Sequence, residues 1–243
     1  MKTLLRSLYT AAIACAASIA SAATYEGSWT NTTFDTTGAL TIELDIDGTR
    51  VSGSFDLDGN VFGAFDPAAI EFNARLKNGK GSFKRTDPQL GSIEVTFDDS
   101  GNLDILINNV PGGFIDEVRV DGKFDLNTET FDGTYEIDSS PGNLLAEGLL
   151  EAHVKKAPVI KGKKKVGFKG KSGKTTVKVI SNVKITSQKV KASNGAKAKL
   201  VKKGNNYILK VKKLKKAGSK VKVTLTNADD LKKSKIFKFK KKG

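Results

Sequence analysis

Apolar and polar residues alternate one by one along most of the chain between residues 24 and 153. Ile42, Leu44 and Ile46 are separated by acidic residues, and the same period of two recurs at positions 93–97. Such alternation predicts strands with one buried face. Asp-Gly, Asn-Gly and Ser-Gly pairs, which favour tight hairpins, separate these segments about every ten residues. The pattern therefore predicts an antiparallel meander in which strands adjacent in sequence pair.

Glycine recurs in these predicted strands, two positions from an apolar residue on either side. The pattern occurs around Gly27, Gly53, Gly63, Gly122, Gly133 and Gly148. Because side chains alternate between faces, each glycine lies on the same face as its apolar neighbours. An inward glycine lets a strand bend or lets an aromatic ring lie over the backbone. Repeated in successive strands, this favours closure of the sheet into a small barrel without exposed edges.

A short motif near residue 27 resembles a known class of barrels. Gly27-Ser28-Trp29 resembles the G-x-W motif of lipocalins and related calycin barrels, and its continuation to Asn31 looks like the avidin subset. The resemblance implies a calycin-like barrel in which Trp29 and Asn31 contribute to ligand binding, since the asparagine of the avidin motif helps to bind biotin. The alternative is that Trp29 only fills one end of the barrel as a core residue.

The C-terminal third has the same period of two but a different composition. Val221 and Val223 alternate with Lys220 and Lys222, and similar segments follow one another from residue 161 to residue 243. About seven short strands of this kind predict a two-sheet β-sandwich. The segment resembles the Ig-like domains of bacterial secreted and surface proteins. The fold class predicted for the whole chain is all-β, an antiparallel meander or small barrel followed by an Ig-like β-sandwich.

The sign of the charge changes just after His153. Residues 24–153 contain 24 acidic and 8 basic residues, a net charge of −16, whereas residues 154–243 contain 31 lysines and two aspartates, a net charge of +29. So sharp a division predicts two domains with different surfaces. We place an acidic barrel domain at 24–153, a linker at 154–160 and a lysine-rich sandwich at 161–243, and we expect each domain to fold on its own.

The first 22 residues have the features of a secretory signal peptide. Lys2 and Arg6 precede an apolar, alanine-rich stretch, and Ala20-Ser21-Ala22 is a suitable cleavage site. This predicts a secreted or periplasmic protein without a transmembrane segment in the mature chain. The alternative is lipid attachment at Cys15, the only cysteine, which follows a sequence similar to a lipoprotein box. Cleavage after Ala22 would leave no thiol for a disulfide.

The lysines of the last ninety residues are more numerous than solubility requires, and their mutual repulsion costs stability. We therefore expect an anionic partner, such as an acidic polysaccharide, lipopolysaccharide or wall polymer. A solvated lysine coat without a partner is the alternative. Lysine without arginine favours diffuse charge attraction over bidentate recognition, and the few aromatic residues disfavour specific nucleic-acid binding. The opposite net charges of the two halves also predict electrostatic self-association. The outward-phase candidates for polyanion binding are Lys210, Lys212, Lys220, Lys222, Lys238 and Lys240.

Motifs that would indicate catalysis are missing from the sequence. His153 is the only histidine, and no cysteine or second histidine accompanies it to form a metal site. Among 24 carboxylates of the acidic half no pair stands out as an acid–base couple. We therefore predict a non-enzymatic protein with no cofactor and no metal. The predicted function is that of an exported binding protein which its cationic domain tethers to anionic cell-surface polymers. The alternative is a small-ligand carrier that uses the interior of the barrel.

Overall fold

The computed structural model describes residues 21–61, 66–140, 142–204, 206–215 and 218–241, and within these ranges the regular structure is entirely β. The prediction of an all-β protein is confirmed. Most of the predicted signal peptide, with Cys15, lies outside the described residues, as does Gly63. Ser21 and Ala22, which cleavage after Ala22 would remove, lie in the first strand and pair with the second.

The N-terminal part forms one antiparallel sheet of ten strands. These are β1 (Ser21–Asn31), β2 (Thr36–Asp47), β3 (Arg50–Asp58), β4 (Ile70–Arg75), β5 (Lys80–Asp87), β6 (Gly91–Asp98), β7 (Asn102–Asn108), β8 (Glu117–Asp125), β9 (Thr130–Asp138) and β10 (Leu144–Val154). The strand order is β4-β3-β2-β1-β10-β9-β8-β7-β6-β5. Strands adjacent in sequence pair throughout except at β4 and β5, as the turn signals predict.

The sheet curls into a nearly closed, barrel-like structure. β1 pairs with β10, which joins the two ends of the meander. The edges of the sheet are β4 and β5, which are connected directly by residues 76–79 and linked by one bridge between Lys77 and Lys80. The predicted barrel closure is thus confirmed in its main feature, with a seam between β4 and β5 where the strands themselves do not pair.

Aromatic rings fill the interior of this barrel. The ring of Phe124 lies 4.7 Å from that of Phe131 and 5.1 Å from that of Tyr25, measured between centroids. Phe131 in turn lies 6.3 Å from Phe55. All four rings are almost fully buried. The hypothesis of a ligand in the interior does not fit this part of the barrel, because the space there is occupied by the protein's own side chains.

Two of the inward glycines lie directly beneath aromatic rings. A Cβ atom at Gly122 would lie 2.2 Å from Cζ of Phe131, and one at Gly148 would lie 2.4 Å from Cε1 of Tyr135. Real Cβ atoms do not approach other atoms so closely. The interpretation that these glycines let rings lie over the backbone is therefore confirmed at both positions, and it explains why the rings fit inside a narrow barrel.

The two ends of the barrel are formed by different connections. The end that we call the mouth consists of the described residues of five connections, at 32–35, 59–61 with 66–69, 88–90, 109–116, and 139–140 with 142–143. The opposite end, which we call the linker end, consists of the turns at 48–49, 76–79, 99–101 and 126–129. Since β10 runs from the mouth to the linker end, the rest of the chain leaves the barrel on the side opposite the mouth.

The remaining strands form two four-stranded sheets. They are β11 (Val159–Lys161), β12 (Lys165–Phe168), β13 (Ser172–Ile180), β14 (Ile185–Ala192), β15 (Lys197–Lys203), β16 (Asn206–Lys212), β17 (Ser219–Asn227) and β18 (Lys232–Lys241). One sheet has the order β11-β13-β16-β15 and the other β12-β18-β17-β14. Apolar residues from both sheets, among them Val177, Leu209, Val223 and Phe237, form a single buried cluster. We call residues 159–241 the C-terminal module.

The segment between the barrel and the C-terminal module is shorter than the predicted linker at 154–160. Val154 is the last residue of β10, and β11 already begins at Val159. Ile160, which the prediction placed in the linker, is buried in the cluster of the C-terminal module and so belongs to that module. The buried clusters of the two parts share no residue within the described ranges. Independent folding of the two parts stays a prediction.

Polar contacts join the two parts at the linker end. Nε2 of His153 lies 2.8 Å from Oδ1 of Asp229. The side-chain amide of Asn227, which is fully buried, donates to the carbonyl of Lys156 at 2.8 Å. Lys156 also forms an ion pair with Glu129 of the barrel. One of the two acidic residues of the C-terminal module thus serves this junction and leaves the lysines of the sheets without a local counter-charge.

Across the described residues, the structure contains no helix with the length and apolar character needed to cross a membrane.

Candidate functional site

The mouth of the barrel contains a cup-shaped cavity of about 520 Å³. Its wall combines the mouth ends of β1, β2, β9 and β10 with Phe34, with Asn60 and Val61, and with Ile115 from the neighbouring connections. The lining residues are Trp29, Asn31, Phe34, Thr36, Thr37, Asn60, Val61, Ile115, Ile137, Leu145 and Ala146. The lining is largely apolar with a few hydrogen-bonding side chains, the composition that is usual for a small-molecule site. The structure therefore brings Trp29 and Asn31, the two predicted ligand-binding residues, into one cavity.

Trp29 is held rigidly at the base of the cup. Its side chain is 2% exposed, and Nε1 donates a hydrogen bond to the carbonyl of Asp58 at 2.9 Å. Gly38 lies against the indole, so that a Cβ there would come within 2.5 Å of it. Trp29 thus closes the mouth end of the barrel core and also offers part of its ring to the cavity. Both interpretations of this residue are compatible with its position.

Asn31 organises the connection between β1 and β2. Its Oδ1 accepts hydrogen bonds from the backbone nitrogens of Thr33 at 3.0 Å and Phe34 at 2.9 Å. This side-chain turn is a common use of asparagine at the end of a strand. The described hydrogen bonds of Asn31 all use the oxygen. Only the amide nitrogen is therefore available to a molecule in the cup.

Tyr135 lies beside Asn31 below the cavity. Burial raises the pKa of Tyr135 to about 12, and the Asn31 side chain offsets only part of this effect. Asn31 lies close enough to lower this pKa, yet within the described residues the Tyr135 hydroxyl has no hydrogen-bond partner of normal geometry. A buried hydroxyl without such a partner normally costs stability.

The raised pKa of Tyr135 predicts a loss of stability at alkaline pH. Between about pH 10, where an unfolded tyrosine ionises, and pH 12, the unfolded chain releases a proton that the folded chain keeps. The free energy of unfolding should therefore fall by about 2–3 kcal/mol across this pH range. Below about pH 10, Tyr135 should not change the stability. Denaturant unfolding followed by the fluorescence of Trp29, the only tryptophan, measures this decrease.

The matched control for this prediction is Tyr135→Phe. The variant keeps the ring and removes only the hydroxyl that has no partner, so we expect it to be as stable as the parent chain at neutral pH or slightly more stable. All other ionisable groups are the same in both proteins, so their contributions cancel in the comparison. An equal decrease in stability of Tyr135→Phe would show that the alkaline effect does not come from Tyr135.

Apolar side chains surround the cup on its solvent side. Phe114 is 84% exposed and Phe34 is 62% exposed, and Leu144 and Leu145 are also exposed. Phe34 and Phe114 belong to two different connections at the mouth, and Leu144 and Leu145 begin β10 at the same end. Single exposed apolar residues are normal on protein surfaces, but several around one cavity indicate a surface that contacts an apolar group. No motif in the sequence pointed to Phe114, and only the fold places its connection at the mouth.

The second candidate surface lies on the C-terminal module, where strand register aligns lysines from neighbouring strands. On the outer face of the sheet β11-β13-β16-β15, Lys210 is the direct partner of Lys174 on one side and of Lys199 on the other. Lys212 pairs in the same way with Lys197. All five side chains are exposed. We call this surface the β16 face.

The other sheet has a similar outer surface. Lys238 of β18 is the direct partner of Lys165 on β12 and of Lys220 on β17. Lys222 pairs with Lys191 on β14. These five lysines, which are all exposed, form the β17 face. The six predicted lysines therefore do not form one patch, since Lys210 and Lys212 lie on one face and Lys220, Lys222 and Lys238 on the other, with Lys240 beside them on β18.

Among the described residues, the lysines of both faces form no ion pair. The ion pairs of lysine that the structure describes beyond residue 153 are those of Lys155 with Glu26 and of Lys156 with Glu129, both at the junction with the barrel. Like charges at directly opposite positions on neighbouring strands destabilise a sheet. The C-terminal module therefore accepts an electrostatic cost in at least two rows of three lysines, a cost that a bound anion would reduce.

Carboxylates also meet on the outer face of the barrel. Asp104 and Asp121 are direct partners on β7 and β8. Burial, and then the charge of Asp104, raise the pKa of Asp121. Oδ2 of Asp104 accepts a hydrogen bond from Thr96 at 3.0 Å. Within the described residues, no three histidine, cysteine or acidic side chains are placed to hold a metal ion. The high number of acidic residues on the barrel surface is enough to explain this pair.

Comparison with known proteins gives little guidance. No protein-family model matches the chain, and no curated protein matches it in sequence. Among solved structures, it is similar to one described as "Putative membrane anchored protein" from Corynebacterium diphtheriae, with 10% sequence identity and a TM-score of 0.28. The match covers 92% of this chain and 59% of the other, so this chain spans less than two thirds of that protein's length. A similarity this low supports no argument about fold or function.

Proposed function

We propose that the chain is an exported, non-enzymatic binding protein that its C-terminal module tethers to anionic polymers at a cell surface. The observation behind the proposal is the set of aligned lysine rows on the β16 and β17 faces, whose lysines form no ion pair among the described residues. The N-terminal leader and the lack of a recognisable catalytic motif support an extracytoplasmic, non-enzymatic role. In finer detail, we take the two parts to be a calycin-type barrel and an Ig-like sandwich.

The chemistry of the two faces fits a polymer with repeated negative charges. Lysine ammonium groups are strongly hydrated point charges on flexible stems, and they attract anions without a fixed geometry. With no arginine beyond residue 153, the module lacks the rigid fork that recognises single carboxylates or phosphates. We therefore expect binding of lipopolysaccharide, wall polymer or acidic polysaccharide with similar affinity at equal charge density, and no sequence-specific binding of nucleic acid.

The test is titration of the full chain against labelled heparin and lipopolysaccharide at low salt. A variant with glutamine at Lys199, Lys210, Lys220 and Lys238, two lysines from each face, should bind at least about tenfold more weakly, since each lysine near an anionic surface contributes about 1 kcal/mol. The matched control replaces Lys77, Lys80, Lys84 and Lys123, four lysines of the barrel, and should bind as the parent does. Failure of the parent chain to bind either polymer would refute the tether.

A second function is favoured by the cup at the mouth. Its volume, its apolar lining and the exposed rings of Phe34 and Phe114 fit a small, largely apolar molecule with a hydrogen-bond acceptor for the amide of Asn31. The chain would then be a small-ligand carrier with the tether as an accessory. In contrast to the initial hypothesis, the ligand would lie at the mouth, because aromatic rings fill the barrel below Trp29.

The carrier hypothesis is tested with Nile red, a neutral apolar dye that lysines do not attract. One dye per chain should bind, with a change in the fluorescence of Trp29. Ala146→Phe should abolish binding because the new ring fills the cavity that Ala146 lines. Unchanged thermal unfolding of the barrel would show that the variant still folds. Dye binding that survives Ala146→Phe in a folded protein would exclude the cup as the site.

A further inference from the structure

The β16 and β17 faces lie on opposite sides of the C-terminal module. Both sheets direct their alternate apolar residues into one shared cluster, with Leu209 from β16 and Val221 from β17 fully buried in it. The side chains between these positions, Lys210 and Lys220 among them, must therefore point away from each other. Packed sheets lie about 10 Å apart, and the extended lysines add to the separation of the charges on the two sides.

The two faces are equivalent in charge. Each has one row of three lysines on three neighbouring strands and a second pair of lysines beside it. Strands are about 4.8 Å apart, so a row of three lysines spans about 10 Å at the backbone. Each face is thus wide enough for a linear polyanion to lie along it. Neither face needs the lysines of the other to bind the polymer.

We infer that the C-terminal module binds two anionic polysaccharide chains at once, one on each face, and so cross-links them. This inference rests on the proposed tether function. A single short stretch of polymer cannot contact both faces without passing around the edge of a sheet. A flat lipid surface could contact only one of the faces and would leave the other face's lysines unpaired. The positive charges of two opposed faces are both neutralised only when an anionic polymer lies on each side of the module.

The acidic barrel does not compete for these faces within one chain. It is attached through residues 155–158, at the end of the C-terminal module where Asn227 and Asp229 make their contacts. The rows on β13, β16 and β15 and those on β12, β18 and β17 lie along the sheets and are exposed. Both faces are therefore free to bind polymer while the junction is intact.

The experiment measures how many heparin octasaccharides bind to the full chain at low salt, by titration calorimetry. Three variants each replace five lysines with glutamine. The first changes the β16 face at Lys174, Lys197, Lys199, Lys210 and Lys212. The second changes the β17 face at Lys165, Lys191, Lys220, Lys222 and Lys238. The control changes five exposed lysines outside these rows, Lys163, Lys164, Lys169, Lys171 and Lys184.

We expect two octasaccharides per parent chain, one per chain for either face variant, and two for the control. In a second measurement, the parent bound to sparsely immobilised heparin should capture fluorescent heparin from solution, whereas neither face variant should. One octasaccharide per parent chain, or two for either face variant, would overturn the cross-linking inference and leave the tether intact. A parent chain that binds no heparin would overturn both. Thermal unfolding of each variant confirms that it is folded.

Discussion

Raising the salt concentration from about 50 mM to about 200 mM should lower the affinity of the full chain for heparin by roughly a few hundredfold. Proteins that make six to ten charge contacts with double-stranded DNA lose about a thousandfold or more over this range, because salt opposes the release of counterions from the polymer. Each heparin chain contacts one lysine face, which supplies five such contacts. Binding titrations at several salt concentrations give the slope of the logarithm of affinity against the logarithm of salt.

The slope distinguishes diffuse charge attraction from specific recognition. A variant with glutamine at Lys199, Lys210, Lys220 and Lys238, two lysines from each face, should have a smaller slope than the parent, because fewer lysines displace counterions at each face. The variant that lacks four barrel lysines should keep the parental slope. An affinity that barely changes with salt would contradict the proposal, since it would require hydrogen bonds of fixed geometry that the lysine rows are not built to make.

Substitution of Gly148 by alanine should destabilise the barrel by about 3 kcal/mol, the upper part of the usual range for overpacking a core. A Cβ at this buried position would lie 2.2 Å from the carbonyl oxygen of Thr30 and 2.4 Å from the ring of Tyr135. The oxygen belongs to β1, which pairs with β10 and closes the barrel. Neither neighbour can move without disturbing that closure. Denaturant unfolding followed by Trp29 fluorescence measures the change.

The matched control for this substitution is Glu147→Ala on the same strand. The Glu147 side chain is exposed and points away from the interior, so its loss should change the free energy of unfolding by less than about 0.5 kcal/mol. The same effect at both positions would indicate a general sensitivity of β10. A neutral Gly148→Ala would show that the barrel tolerates a side chain there and that the tight approach of Tyr135 is not required.

Local pattern predicts local structure well in this chain. Alternation around Ile42 and Val223 predicts strands, and the structure has strands there. Successive side chains of a strand point to opposite faces, so the parity of a residue, its odd or even position along the strand, decides its side of the sheet. The glycine pattern also predicts curvature, and the rings of Phe131 and Tyr135 do lie against Gly122 and Gly148. Specific membership of the calycin or Ig-like class does not follow from such patterns, since parity contains no information on how sheets close or stack.

Strand register is the part of the lysine surface that the sequence could not provide. Parity places Lys210 and Lys220 outside, but it does not tell which lysine of another strand lies opposite. The rows that contain Lys174, Lys199 and Lys165 exist only because non-adjacent strands, such as β12 and β18, pair in one register. A one-residue shift would move one strand's lysines to the opposite side of the sheet.

The sequence by itself determined the all-β character, the division of charge and the outward lysines, because each depends on composition or on neighbouring residues. The tertiary structure decided three other features: the seam between β4 and β5, the opposition of the two lysine faces, and the cup at the mouth. Trp29, Val61 and Ile115 line that cup from segments far apart in sequence. Contacts of this kind depend on sheet closure and register, which are set by packing of the whole core rather than by any local pattern.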